Sequence, residues 1–226
     1  MSKKIRVAVA GVGNCASALI QGTKYYDKNR NDSIGLTAYN LGGFEPGDIE
    51  FVAAFDVADS KVDRDLSEAV FAPPNNTPKI SDIDNLDVQV KRAEVLDGVG
   101  RHLGEKINVS NEPPVNVADV LKDTRTDILL NYLPVGSRLA TKYYAEKCLE
   151  AQVGFINAIP VFIASAPKWQ QAFQSRNLAC AGDDVMSQLG ATVVHKTLVK
   201  LFVDRGIKVD ETYQLNIGGD MDFYNM

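Results

Sequence analysis

Near the start of the chain, Ile5 to Ala10 runs straight into Gly11-Val12-Gly13-Asn14-Cys15-Ala16, and this junction limits the fold more than any other stretch. The run is short, apolar and rich in branched side chains, the pattern of a strand covered on both faces. A helical stretch follows, with Ala18, Leu19, Gly22 and Tyr26 near one face. Strand, glycine turn and helix in that order are the context that gives a G-x-G-x-x-A turn its meaning. Gly11 permits the tight turn, Gly13 lets the backbone approach a pyrophosphate, and Ala16 lets the helix pack close to the strand. The first amides of the helix then face an anion. Taken alone, the motif also fits an ordinary strand-to-helix turn.

Glu50 to Phe55 reads as a second buried strand, and it ends in Asp56. A carboxylate there can bind both ribose hydroxyls of an adenosine and repel a 2′-phosphate. No Arg follows in Val57-Ala58-Asp59, so NAD is expected rather than NADP. The usual interval from the glycines is about 20 residues, and here it is about twice that. Residues 27–48, rich in Asn and Gly and containing Pro46, account for the difference as an inserted loop. By itself Asp56 also fits a solvated strand-end turn; with the glycine turn it points to an NAD-binding Rossmann domain.

Farther on, residues 72–116 carry two Pro-Pro pairs and many Asn and Asp residues, which predicts long loops with one or two short strands at the rim of a cofactor crevice. Asp127 to Leu133 is the next buried strand, closed by Pro134 and Gly136. Ser137 can cap a helix carrying Ala140, Tyr144, Cys148 and Ala151 along one side. Val153 to Ala158 is a strand ended by Pro160; Ala166-Pro167 opens a helix with Trp169 and Phe173; Leu178 to Ala181 is a further strand. Strands alternating with helices predict an α/β fold, a doubly wound parallel sheet with right-handed crossovers. Chemistry in such sheets gathers where strands end. The polar residues found there are Asp56, Asn131, Ser137, Asn157, Asp183 and Asp184. Paired carboxylates could position a cofactor amide or a hydrated cation, or tune a base, and Asp184 could equally cap a helix beginning near Val185.

A last helix, about 185 to 205, sets Val194, Leu198, Leu201 and Phe202 at core-stripe spacing, and Gly206 ends it. His195 falls off that stripe, and His102 lies in a loop without a catalytic pattern. Thr212 to Ile217 alternates like a strand. An end soon after Gly218-Gly219 is read as a missing partner or a truncated chain.

Composition excludes several classes. With 226 residues, at roughly 150 per domain, there is room for one large domain or one and a half. A net charge of -5 argues against a basic nucleic-acid binder or a polybasic membrane anchor. No apolar run nears the roughly 18 residues of a spanning helix, and the basic start meets a glycine turn rather than a cleavage site. Cys15, Cys148 and Cys180 lack metal or redox spacing, and no residue cluster has metal-ligand spacing. A soluble cytoplasmic protein is expected.

Eight motifs then occur in order: GVGNCAS at 11–17, AAFDV at 53–57, NNT at 75–77, LDGVG at 96–100, NYLPVGS at 131–137, NAIPVFIAS at 157–165, GDD-x-x-SQ-x-GAT at 182–192 and TYQLNIGG-x-MDF at 212–223. Together they resemble the inositol-3-phosphate synthase (myo-inositol-1-phosphate synthase) family, in its shorter actinobacterial and archaeal type. The resemblance implies a Rossmann domain over residues 1–187 and, over 188–226, the first helix and strand of an α+β catalytic and tetramerisation domain. It implies an isomerase that converts D-glucose 6-phosphate to 1D-myo-inositol 3-phosphate by oxidation, enolisation, aldol closure and reduction, with NAD as a recycled oxidant. A homotetramer in inositol and phospholipid biosynthesis is implied as well.

Carried over by motif, the cofactor contacts fall on Gly11, Gly13, Asn14, Cys15, Asp56, Asn76, Thr77, Asp97, Gly98, Pro134, Ser137, Ala158, Pro160 and Asp183. Catalytic positions fall on Asp184, Asp220 and Asp222. The chain departs from the family pattern where a lysine is usual and Met186 stands, and where Gly-Gly-Asn reads Gly218-Gly219-Asp220. A thioether cannot donate to a phosphate. The family's later lysines and tetramer-forming sheet would lie beyond Met226, so little or no turnover is expected from these residues alone, together with self-association through an exposed strand edge near Tyr213. Two other readings remain: a non-enzymatic NAD-binding relative that senses cofactor or assembles with others, and a simple NAD dehydrogenase.

Overall fold

Parallel strands covered on both faces need apolar residues at successive positions rather than alternate ones, and the first strand meets that need from Val7 to Ala10, all buried. The structure, a computed structural model, describes residues 4–32, 34–185 and 189–215. Its strands are β1 (Ile5–Ala10), β2 (Ile49–Asp56), β3 (Val90–Arg92), β4 (Ile128–Asn131), β5 (Gly154–Asn157) and β6 (Cys180–Ala181). The helices are α1 (Asn14–Lys28), α2 (Leu66–Ala69), α3 (Val117–Asp123), α4 (Arg138–Ala151), α5 (Pro167–Gln174) and α6 (Ala191–Asp204).

All pairings within the sheet are parallel, and the order is β3-β2-β1-β4-β5-β6. That is the order of a doubly wound dinucleotide-binding sheet, whose crevice opens where the order reverses, between β1 and β4. On one face Ala8, Phe55, Leu129 and Phe155 pack with Leu121 of α3, Tyr144 and Cys148 of α4 and Phe173 of α5. On the other, Val7, Val9, Ala54 and Val90 pack with Ile20 of α1 and Leu66 of α2. Chain leaving β1 therefore turns to one face and chain leaving β4 to the other, which opens the crevice.

Several expectations change. Helix α3 falls where no helix was read, started by Asn116, whose side chain accepts from Ala118 N. Ala18, Leu19, Gly22 and Tyr26 of α1 do share one face, which with Ile5 of β1, Ile49 of β2 and the loop of residues 36–46 lines a cavity of about 540 Å³. Ile20, Gln21 and Thr23 are among the residues the helix buries. The last helix begins at Ala191 after Gly190, not near Val185, so Asp184 does not cap it. Its stripe is not core: Val194, Leu198, Leu201 and Phe202 are 40–49% exposed, and no residue of α6 is buried. Apolar periodicity says which face of a helix seeks cover, not that the described chain supplies it. Residues 212–215 are not in a strand, and Gln214 Oε1 lies 3.0 Å from His195 Nδ1 of α6; Asn216 and Ile217 lie outside the described residues. Gly206 does end α6, at a positive φ of 75°.

Gly11 leaves β1 at φ 88°, and a Cβ on it would lie 2.6 Å from the carbonyl oxygen of Tyr132. Gly11→Ala is expected to destabilise the protein by about 2–3 kcal/mol, read as a lower urea midpoint, from left-handed strain plus that contact.

Candidate functional site

At the carboxyl ends of β1, β2 and β4 lies a cleft of about 380 Å³. Gly11, Gly13, Asn14 and Cys15 form one wall, Asp56 to Ala58 with Lys61 a second, and Tyr132 to Pro134 with Tyr144 a third. Residues 94–107 supply Val95, Leu96, Gly98, Val99 and Leu103 as an apolar rim. The long loop region between β2 and β4 thus does close over the crevice.

The two helices that start here differ in what occupies their N-termini. Helix α1 has no acidic side chain in its first turn and no side-chain cap, and a Cβ on Gly13 would meet nothing within 4 Å. That end of the dipole is open to an outside anion. Helix α4 carries its own anion: Asp97 accepts from Leu139 N at 2.7 Å and Ala140 N at 2.9 Å. Ser137 stands at the N-cap position without capping, its hydroxyl donating instead to the carbonyl of Pro134. The cap comes from a residue distant in sequence, which no local signature announces.

Asp56 ends β2 inside the cleft. Its Oδ1 accepts from the amides of Val57 (2.7 Å) and Ala58 (2.9 Å), and its Oδ2 from Val12 N at 2.9 Å. An ionised carboxylate has about four acceptor sites, so Oδ2 keeps room for a further donor. Behind it stands Lys61, 4% exposed, with Nζ 3.8 Å from Asp56 Oδ2. Its ammonium donates to Val12 O at 2.8 Å and Asn75 Oδ1 at 3.0 Å. Asn75 in turn donates to Val12 O at 3.0 Å and Val70 O at 2.9 Å. Val12, the middle residue of the glycine turn, is therefore held at both its N–H and its carbonyl. Lys61 did not stand among the residues read from the sequence, and Asn75 stood there only as part of the NNT motif, with no contact assigned to it; a charged residue in a turn after a strand gives no sign that it folds inward.

The other residues drawn from the resemblance fall in distinct places. Gly98 and Pro134 line the cleft; Asn76, Thr77, Asp97, Ser137, Ala158, Pro160, Asp183 and Asp184 are not among its lining residues. Asn76 and Thr77 tie the 74–77 segment to Asn14, whose Oδ1 accepts from Asn76 N, Thr77 N and Thr77 Oγ1. Asp183 accepts from Asn157 Nδ2, from the amides of Ile163, Ala164 and Ser165 and from Ser165 Oγ, all within 3.1 Å. These donors use up its acceptor capacity, so its work is to fold the 159–165 loop around the end of β5. Asn157 extends this network to Asn131 (2.8 Å), and both side chains are fully buried. Asp184 is exposed, with φ 74°, its Oδ1 accepting from Val185 N. Met186, Asp220 and Asp222 lie outside the described residues.

Burial pushes the Tyr144 phenol well above its ordinary value, and the nearby charge of Asp56 adds to this, so the ring is neutral in the cleft. Burial pushes the Cys180 thiol up to about 11, which makes it a poor nucleophile at neutral pH. Among the described residues no group of three or more His, Cys, Asp or Glu side chains is placed to hold a metal ion. No described helix is long and apolar enough to cross a membrane.

Residues 190–226 match the family model described as myo-inositol-1-phosphate synthase. An inositol-3-phosphate synthase of Mycolicibacterium smegmatis is 51% identical over 225 residues, 99% of this chain and 62% of that protein. Over almost its whole length the chain is similar to an inositol-3-phosphate synthase. It spans 62% of the length of that curated synthase relative. The crystal structure of Ari2 matches it with a TM-score of 0.84 at 33% identity, covering 98% of this chain and 66% of that one. A myo-inositol-1-phosphate synthase-related protein from Thermotoga maritima matches at 0.76 and 23% identity, covering 99% and 65%, and shares the fold.

Two tests follow from the geometry of this synthase relative. Asp97→Ala strips the α4 cap and should cost about 1 kcal/mol in thermal unfolding. Burial alone would raise the Asp183 pKa, but its donors from Asn157, Ser165 and Ala164 outweigh that and hold it below the ordinary 3.8. A lowered folded pKa means that its contribution is whole above that ordinary value and is lost as pH falls toward the folded one. Urea unfolding from neutral to acid pH should show wild type losing its advantage over Asp183→Asn in that window; a constant gap would contradict it.

Proposed function

We propose that the cleft holds NAD and that the protein acts as an inositol-3-phosphate synthase, isomerising D-glucose 6-phosphate to 1D-myo-inositol 3-phosphate. The observation that carries this reading is the uncapped N-terminus of α1 behind Gly13, set beside Asp56 at the reversal point of the 3-2-1-4-5-6 sheet. The residues present fit the cofactor. A Cβ would meet nothing within 4 Å at Gly13, the first turn of α1 carries no acidic residue, and Asp56 Oδ2 can still accept a ribose hydroxyl.

Bound NAD supplies a reversible hydride acceptor, so a hydroxyl of the sugar phosphate is oxidised and the cyclised product reduced within one closed site. Gly11, Gly13, Asn14 and Cys15 would face the diphosphate, Asp56 the adenosine ribose, and Gly98 and Pro134 the opposite wall. Asn76, Thr77, Asp97, Ser137, Ala158, Pro160 and Asp183 would act through the loops they anchor. The apolar rim of Val95, Leu96, Val99 and Leu103 limits water, which strengthens polar contacts inside. Asp184, Asp220 and Asp222 remain the proposed catalytic carboxylates, and a homo-oligomer in the cytoplasm belongs to the same proposal. Met186, where the family resemblance implies lysine, favours a second reading: an NAD-binding relative without turnover.

Calorimetric titration of NAD, with and without D-glucose 6-phosphate, tests the reading when the same sample is assayed for inositol phosphate. NAD is expected to bind, and Asp56→Ala should weaken it by roughly tenfold, the value of one charge-assisted hydrogen bond. Binding with product supports the synthase, binding without product supports the second reading, and no binding removes both.

A further inference from the structure

The turn after β2 folds Lys61 back into the protein: its amide donates to Ala58 O at 3.0 Å, and its side chain ends beneath the glycine turn. The ammonium is almost wholly buried yet lines the cleft. Two of its three donors go to neutral oxygens, those of Val12 and Asn75. Its charge is met by Asp56 Oδ2 at 3.8 Å, an ion-pair distance too long for a hydrogen bond. Asp56 thus faces the ribose end with its charge offset by one cation and three backbone amides. A second cation stands on the same edge: Arg92 of β3 pairs in register with Asp56, and its Nε is buried without a partner among the described residues.

We propose that Lys61 sets how this cleft discriminates between NAD and its 2′-phosphorylated form: its buried ammonium offsets Asp56, and becomes a ligand for a 2′-phosphate once that carboxylate is gone. The inference rests on the proposed NAD site. Asp56 rejects the phosphate by charge and by occupying the space beside Nζ. The third donor of Lys61 has no better acceptor than the one a phosphate oxygen would provide, and a buried cation holds a phosphate more firmly than an exposed one. Specificity here is a difference between two large opposing charges on neighbouring side chains rather than the effect of a lone acid.

The test is calorimetric titration of NAD and of NADP into wild type, Lys61→Gln, Asp56→Ser and the double variant, with thermal unfolding as a check on folding. Glutamine keeps a donor for Val12 O and removes the charge. Lys61→Gln should lower the NADP-to-NAD affinity ratio roughly tenfold, the size of one charge-assisted contact, whereas a merely structural role would weaken both cofactors alike. Asp56→Ser should raise NADP affinity by about the same factor, and the double variant should lose that gain. An unmoved ratio in Lys61→Gln, a gain retained in the double variant, or no gain in Asp56→Ser overturns the proposal. Asp56→Ser leaves Lys61 in place, so the absence of a gain there overturns the proposal even if Lys61→Gln does not fold; a gain is assigned to Lys61 only by its loss in the double variant, because removal of the acid alone also favours NADP. Wild type binding neither cofactor would overturn the NAD reading itself and this inference with it; NAD binding with an unmoved ratio would overturn this inference alone.

Discussion

At Gly11 the backbone N–H donates to Phe55 O of β2 at 2.9 Å, while on the other side Tyr132 N donates to Ala10 O at 2.8 Å. The chain is stitched to both neighbouring strands at the moment it leaves the sheet, with the Tyr132 carbonyl filling the space a side chain would need. Only glycine satisfies this close approach together with a φ of 88°. From this one turn follow the direction of α1, the position of its open N-terminus and the gap between β1 and β4. The cleft exists because β1 and β4 are paired as far as Ala10 and Asn131 and the chain leaving each then turns to opposite faces of the sheet.

The turn itself is held from outside. Asp56 accepts from the amide of Val12, while Lys61 and Asn75 donate to its carbonyl, so a residue that belongs to no helix or strand has both backbone polar groups satisfied. This makes the acid at the end of β2 both a wall of the site and a support for the loop facing it. It also places a buried cation where a simple view of the fold expects only an acid.

Elsewhere around the cleft, carboxylates do the work of scaffolding. Asp97 caps α4 and so carries the 94–98 segment across the crevice. Asp183 gathers three consecutive amides of the 159–165 loop, and through Asn157 it is joined to Asn131 at the end of β4. Helix N-termini and loops rich in N–H groups need anions; at α4 and at the β5 loop a carboxylate provides one, and at α1 neither the cap residue nor the first turn carries an acid. That asymmetry singles out α1 as the place for an external phosphate.

Local chemistry in the sequence determined the strand–turn–helix at residues 5–28, the buried strands ending at Asp56 and near Asn131 and Asn157, and the parallel α/β class. Each of these rests on neighbours in the chain: apolar runs, glycine at a turn, proline at a helix start. The tertiary structure alone decided that Lys61 turns inward, that Asp97 rather than Ser137 caps α4, that Asp183 closes a loop and that the stripe of α6 stays exposed. A side chain shows in the sequence what it can bond to, but which partner it meets depends on segments far along the chain. Lys61 and Val12 are 49 residues apart, and Asp97 and Ala140 are 43 apart. Only the packed sheet brings such groups within hydrogen-bonding reach, because it fixes where every strand ends.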